Sequence, residues 1–194
     1  DSSGLIKAPE GGGAWNFISK LTASSSATLS FTSGIDSTYK EYLFTFKDIH
    51  PQTDDQHFMF NGSDDTSSHS YDITKTTSAF AAYNNEAGTD TALAYQTGGD
   101  LAQSTAFQPL TIGDKLGTDN DQNLGGYMHL FAPSDTTFVK HFIAETSVAG
   151  AADYNSHAFF AGYFNTTAAI TAIQFKAESG NIDAGDICLY GLTT

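Results

Sequence analysis

Six histidines, His50, His57, His69, His129, His141 and His157, are the side chains best suited to metal or acid–base chemistry. None lies three or four positions from another, and no HExxH pair occurs, so no single segment supplies two metal ligands. His129 and His141 fall on runs that read as neighbouring strands, and His157 opens a third. A three-histidine site would depend on those strands converging, and structural histidines on strand faces are the reading adopted. Loop carboxylates cluster at Asp54-Asp55, Asp64-Asp65 and Asp119-Asn120-Asp121. They lack the alternating spacing and distal glutamate of a calcium loop and read as solvated turn formers.

A glycosidase needs two carboxylates across a cleft. Glu10, Glu41, Glu86, Glu145 and Glu178 give no pair that spacing brings together. No GxSxG, Walker-type or GxGxxG sequence is present. The expectation is therefore a chain without catalytic residues, metal or cofactor. Tyr39, Tyr83, Tyr95 and Tyr154 sit at strand ends or in loops, where aromatic rings could stack on sugars. Asn61-Gly62-Ser63 and Asn165-Thr166-Thr167 match the glycosylation acceptor pattern, which matters only in a eukaryotic secretory chain.

The elements that must position these residues read as strands. Ala27, Leu29 and Phe31 alternate with Thr28 and Ser30, and Tyr42, Phe44 and Phe46 alternate with Leu43, Thr45 and Lys47. Pro51 stops the second run. Phe58 and Phe60 mark a strand, and Trp15, Phe17 and Leu21 share one parity of another. Phe80–Tyr83, Tyr127–Phe131, Phe138–Ala144 and His157–Asn165 continue the series. Pro109 interrupts a run and places it at a sheet edge. Residues 92–95 fit either a strand or one helical turn. The last stretch, Ile170 to Leu192, reads as a hairpin or short-loop strand pair broken at Ser179-Gly180-Asn181 and Ala184-Gly185-Asp186. It closes a sheet with the chain's own end; with the Tyr190 ring in the core Tyr190→Ala would cost roughly 3 kcal/mol, and with the ring outside it less than about 0.5. No 3.6-residue period is sustained. The fold expected is all-β, a single β-sandwich with jelly-roll character over residues 15–194. Residues 1–14 form a flexible Gly-rich arm, with Leu5, Ile6, Pro9, Gly11, Gly12 and Gly13 as candidate subunit contacts.

Bulk properties narrow the function. The 194 residues carry a net charge of −14, with eight lysines and no arginine. That excludes the basic face that nucleic acid or an anionic membrane surface requires. Cys188 is the only cysteine, so no intrachain disulfide forms, and it reads as a buried, inert thiol. No apolar run approaches the ~20 residues of a membrane helix, and the start DSSGLIKAPE lacks the apolar core of a signal peptide.

Two stretches carry a family likeness. The first is Ala23-Ser24-Ser25-Ser26-Ala27-Thr28-Leu29-Ser30-Phe31-Thr32 with Gly34-Ile35-Asp36, Tyr39 and Tyr42-Leu43-Phe44, followed by Ile49-His50-Pro51 and Phe58 to Asp64. The second is Ile173-Gln174-Phe175 with Ser179-Gly180-Asn181-Ile182, Gly185 and Leu189-Tyr190-Gly191. Together they resemble small virion structural proteins of tailed bacteriophages, especially marine ones. Where those proteins carry Asp-Gly-Gly, this chain has Asp64-Asp65-Thr66, and residues 84–135 match no part of the pattern. The resemblance implies a virion β-sandwich without transferable catalytic residues. Its leading reading is a capsid decoration or cement protein on the particle surface. Other virion proteins, the major capsid protein or tail components, would be its partners, and a homo-oligomer, a trimer, its assembly. The alternative is a tail-fibre or receptor-binding module that recognises host surface glycans. A secreted carbohydrate-active protein is a third reading.

Overall fold

The computed structural model describes residues 14–193. The proposed arm contacts Leu5, Ile6, Pro9, Gly11, Gly12 and Gly13 lie outside the described residues. Among the described residues twelve strands follow in order: β1 (Trp15–Thr22), β2 (Leu29–Phe31), β3 (Glu41–Pro51), β4 (Phe58–Ser63), β5 (Lys75–Asn85), β6 (Thr91–Tyr95), β7 (Gln108–Pro109), β8 (Leu124–Phe131), β9 (Lys140–Ala149), β10 (Tyr154–Phe164), β11 (Ala172–Ala177) and β12 (Ile182–Leu192). They form two antiparallel sheets, an all-β sandwich. One has eight strands in the order β1-β12-β3-β8-β9-β10-β5-β6, the other four in the order β2-β11-β4-β7.

Two-residue alternation decides which side chains fill the space between the sheets. Tyr42, Phe44 and Phe46 point inward from β3, and Phe58 and Phe60 from β4. Phe175 of β11 sits among them. Its ring centroid lies 5.5 Å from Phe44, 5.3 Å from Phe46 and 5.7 Å from Phe58, on which it stacks. Pro109 lies on the edge strand of the smaller sheet, as a residue without a backbone donor must.

The smaller sheet is too narrow to cover the larger one. Phe60 reaches Phe142 of β9 at 5.0 Å and Phe164 of β10 at 6.2 Å. Beyond them the segment 99–112 serves as the cover. Small inward residues on the wide sheet, Ala79, Ala81, Ala144 and Ala158, leave room for Leu110, Ile112 and Leu116 to be buried. The carbonyls of that irregular segment need donors. Thr146 Oγ1 donates to Leu110 O at 2.7 Å, Ser156 donates to Ile112 O, and Gln108 Nε2 donates to Gly99 O at 2.7 Å. The hydroxyl of Thr77 donates to Gln108 Oε1 at 2.7 Å.

The C-terminal stretch departs from the hairpin expected. β11 belongs to the small sheet and β12 to the large one, so the two never pair. Residues 178–181 cross between sheets, with Gly180 at φ 71° in the turn. Ile170 is buried but precedes the strand, its N–H donating to Pro133 O at 2.8 Å. Ala184-Gly185-Asp186 does not break the last strand. It is a bulge within β12, where the register against β3 shifts on both sides of Ala184 and Gly185 takes φ 118°. Nor does β12 lie at the edge, since it pairs with both β1 and β3.

Parity also corrects Cys188, expected to be buried, and decides which way Tyr190, Trp15 and Phe17 face. Ile187 and Leu189 are fully buried, so Cys188 and Tyr190 point to the outer face and are half-buried. Trp15 and Phe17 are outward and exposed, because a bulge between Phe17 and Ser19 turns Ile18 and Leu21 toward the core instead. Phe138 precedes β9 and is exposed. The segment over 92–95 is strand β6.

Leu189→Ala is expected to lower unfolding free energy by about 3 kcal/mol, because it opens a cavity between the sheets. Tyr190→Ala is expected to cost about 1 kcal/mol, since it loses outer-face contact only. Urea denaturation of both variants measures the order, and a larger loss for Tyr190→Ala would contradict the assigned parity.

Candidate interaction face

The outward side chains of the eight-stranded sheet form rows set by cross-strand register. One row runs Phe17, Tyr190, Leu43, His129, Ile143, Ala161 and Ser78 across β1, β12, β3, β8, β9, β10 and β5. The next runs Lys20, Cys188, Thr45, Tyr127, Glu145, Phe159, Phe80 and Tyr95, ending on β6. Cross-strand aromatic pairs hold neighbours together. Phe80 stacks on Phe159 at 4.7 Å, His157 lies 4.4 Å from Phe159, and Phe17 meets Tyr190 edge-on at 5.7 Å. Six of the large apolar residues left exposed point from this face: Trp15, Phe17 (60% exposed), Phe80 (45%), Leu93 (73%), Tyr95 (55%) and Ile143 (50%). A shallow depression of about 480 Å³ lies where Ala161 sits between Ile143, His141, Tyr163 and Ser78.

Carboxylates on the face are held by neighbours within it. Glu41 Oε1 lies 2.6 Å from His129 Nδ1, and Glu145 Oε1 lies 2.6 Å from His157 Nε2. The Tyr127 hydroxyl donates to the other Glu145 oxygen. That bond, followed by the one from His157, lowers the Glu145 pKa below the usual carboxylate value. Asp186 accepts from Thr22 Oγ1 at 2.6 Å and from Lys20 Nζ at 3.2 Å. On a chain of net charge −14 this face thus shows rings and aliphatic groups between internally paired acids.

A second concavity lies at the strand ends. Asn84, Asn85 and Glu86 at the end of β5, Asp121 and Gln122, and Asp153, Tyr154 and Asn155 at the start of β10 line a polar cleft of about 290 Å³. The Glu86 N–H donates to Asp153 O at 2.9 Å and ties two of its walls. Tyr154 donates to Asp90 at 2.8 Å and meets Tyr83 edge-on at 5.8 Å.

The residues singled out from spacing do not form one site. Tyr39 is half-buried and packs on Tyr42 at 5.8 Å, Tyr95 lies on the outer face, and Tyr83 and Tyr154 sit at the cleft, so the four do not make a single sugar platform. His129 is opposite Ile143 and His141 is opposite Tyr163, so register keeps these two histidines from pairing directly. Among the described residues, no group of three His, Cys, Asp or Glu side chains is placed to hold a metal ion. Asp65 accepts from Ser70 N at 2.7 Å and from Ser63 and Ser70 hydroxyls, a turn-forming role. The outer-face residues Phe80, Leu93, Tyr127, Ile143 and Phe159 did not stand out from spacing. Their signal was apolar residues on both parities of one strand, as in His157 to Phe164.

The most perturbed titratable group is Lys75, which is fully buried. Its Nζ donates to Asn61 Oδ1 at 2.7 Å and Ile73 O at 3.0 Å, and lies 5.8 Å from the Phe164 ring centre. Burial lowers its pKa from 10.5 to about 7, with the charge of Asp72 opposing that shift. Such a lysine can mark a nucleophile, but Lys75 lines neither concavity and braces β5 against β4. Its burial has a signed consequence. The folded chain releases the proton near pH 7 and the unfolded chain near 10.5, so between them the unfolded state binds more protons and stability rises with pH. Stability of the wild type relative to Lys75→Met is expected to increase by about 2 kcal/mol from pH 7 to pH 9. Denaturant unfolding at both pH values measures it, and a flat difference would show that Lys75 keeps an ordinary pKa.

Comparison with protein-family models and with curated proteins gives no match to this chain.

Proposed function

We propose that the chain is a non-enzymatic structural protein of a bacteriophage particle, seated on its surface as a capsid decoration or cement protein. The outer face of the eight-stranded sheet carries this reading. It is a broad apolar surface with paired acids, the composition of a docking surface. The partner would be the major capsid protein or another virion component.

The strand order supports the same reading. With β5, β6, β9 and β10 set aside, successive strands alternate between sheets except for β4 and β7, which pair with each other in the small one. The large sheet keeps β1-β12-β3-β8 and the small one keeps β2-β11-β4-β7. We infer a jelly roll from this alternation, an architecture found in viral capsid and lectin domains. The residues behind the phage resemblance serve this framework. Leu29, Phe31, Ile35, Tyr42, Phe44, Phe175 and Leu189 are all core residues. A trimer and an arm contact through Leu5, Ile6, Pro9, Gly11, Gly12 and Gly13 complete the proposal on the strength of the resemblance.

Phe80→Asp and Ile143→Asp, both outward substitutions, are expected to reduce occupancy on purified particles by about tenfold or more while leaving thermal unfolding nearly unchanged. Cryo-electron microscopy of the particle locates the protein directly. Density at the tail rather than on the capsid lattice would sink the decoration reading.

The polar cleft favours a second reading, glycan binding. Amides and carboxylates around Tyr154 offer the paired hydrogen bonds and ring face that a sugar uses. Asp121→Asn and Tyr154→Ala should each weaken binding on a glycan array by about tenfold. A wild-type array without any bound glycan would remove this reading.

A further inference from the structure

Among the described residues, four strands terminate the two sheets, and three of them carry a device that discourages another strand from joining. β2 is three residues long. β7 is two residues long and one of them is Pro109. β1 has the bulge between Phe17 and Ser19 and carries Lys20. The fourth, β6, has none of these. Its five residues, Thr-Ala-Leu-Ala-Tyr, contain no charge and no proline, and they pair with β5 in unbroken register from Asn84↔Thr91 to Phe80↔Tyr95.

Two flanking bonds fix which backbone groups face outward. Asn85 N–H donates to Asp90 O at 3.1 Å, and Gln96 N–H donates to Ala79 O at 2.9 Å. In an antiparallel ladder the groups alternate, so residues 90, 92, 94 and 96 turn toward β5. Thr91, Leu93 and Tyr95 then turn their N–H and C=O groups toward the open side. The side chains of the same three residues lie on the outer aromatic face, next to Ala82 and Phe80.

We infer that β6 is a strand-pairing edge for a second copy of this chain, the two β6 strands running antiparallel about a two-fold axis at Leu93. The register is self-complementary. Leu93 meets Leu93 of the second copy, and Thr91 meets Tyr95 on both sides, so all three outward residues of each strand find partners. The next pair outward sets Asp90 against Gln96, not against a second Asp90. This matters for two bodies of net charge −14. The carboxylates nearest the edge are also engaged, Asp90 by the Tyr154 hydroxyl at 2.8 Å and Asp100 by the Tyr95 hydroxyl at 2.6 Å. The axis stands perpendicular to the sheet, so both aromatic faces look the same way and merge into one surface. The contact leaves β1, at the opposite edge of the sheet, free. It goes beyond the particle reading and does not depend on it.

Sedimentation equilibrium of the full chain tests the pairing. A concentration-dependent dimer is expected, and Leu93→Lys, which sets like charges on the axis at an exposed position, should weaken it by about tenfold or more. Phe17→Lys, far across the same face, should leave it unchanged. Hydrogen exchange should show the Leu93 and Tyr95 amides protected in the dimer and open in the Leu93→Lys monomer. A wild type that stays monomeric to about 200 μM would overturn the inference. So would a dimer that Phe17→Lys disrupts, one that survives Leu93→Lys, or one whose Leu93 amide exchanges freely.

Discussion

An eight-stranded sheet laid against a four-stranded one leaves part of its inner face without a partner sheet, and the rest of the structure answers that mismatch. Exposed backbone cannot simply be buried there, because each amide and carbonyl needs a partner. The chain supplies an irregular segment, 99–112, and arms the wide sheet with Thr77, Thr146 and Ser156 to bond it. These three polar residues, buried on strand faces, thereby fasten the cover. The same constraint explains the run of alanines on β5, β9 and β10. A loop with its own side chains approaches closely only over small residues.

Widening the sheet also changed what its other face presents. The strands β9, β10, β5 and β6 add Ile143, Phe159, Phe80, Leu93 and Tyr95 to a surface that begins with Phe17 and Tyr190 at the opposite edge. Exposed rings of this density would be a liability on a solitary monomer. Here the carboxylates of Glu41, Glu145 and Asp186 are each held in place by hydrogen-bonding neighbours, His129, His157 with Tyr127, and Lys20 with Thr22. Prior pairing lowers the cost of desolvating a carboxylate when a partner covers it. The acidity of the whole chain and the apolarity of one face are thus compatible.

The fold class was legible because two-residue alternation at Ala27–Phe31 and Tyr42–Lys47 and the proline at 109 report directly on pleat and edge. The sheet membership of the last two strands was not. A turn sequence such as Ser179-Gly180-Asn181 reverses the chain equally well within one sheet or between two, and only long-range packing around Phe175 decides. The facing of Tyr190 was open for a related reason. With apolar residues on both parities of Ile187–Leu192, local pattern cannot say which row faces the core. The bulge at Gly185, invisible in composition, sets the phase. The interaction face was hidden by the same ambiguity, since an outward Phe159 beside an inward Phe160 looks like generic hydrophobicity.

Burial of Lys75 and Lys140 has a consequence for proteolysis. The chain has no arginine, and its lysines stand at 7, 20, 40, 47, 75, 115, 140 and 176. With Lys75 enclosed, the surface between Lys47 and Lys115, including the loops after β4, β5 and β6, offers no basic side chain to a protease that cuts after lysine or arginine. With Lys140 enclosed, the same holds from Lys115 to Lys176. Packing these two lysines inside the sandwich leaves Lys40, just before β3, and Lys115, between β7 and β8, as the lysines in described loops that such enzymes could reach.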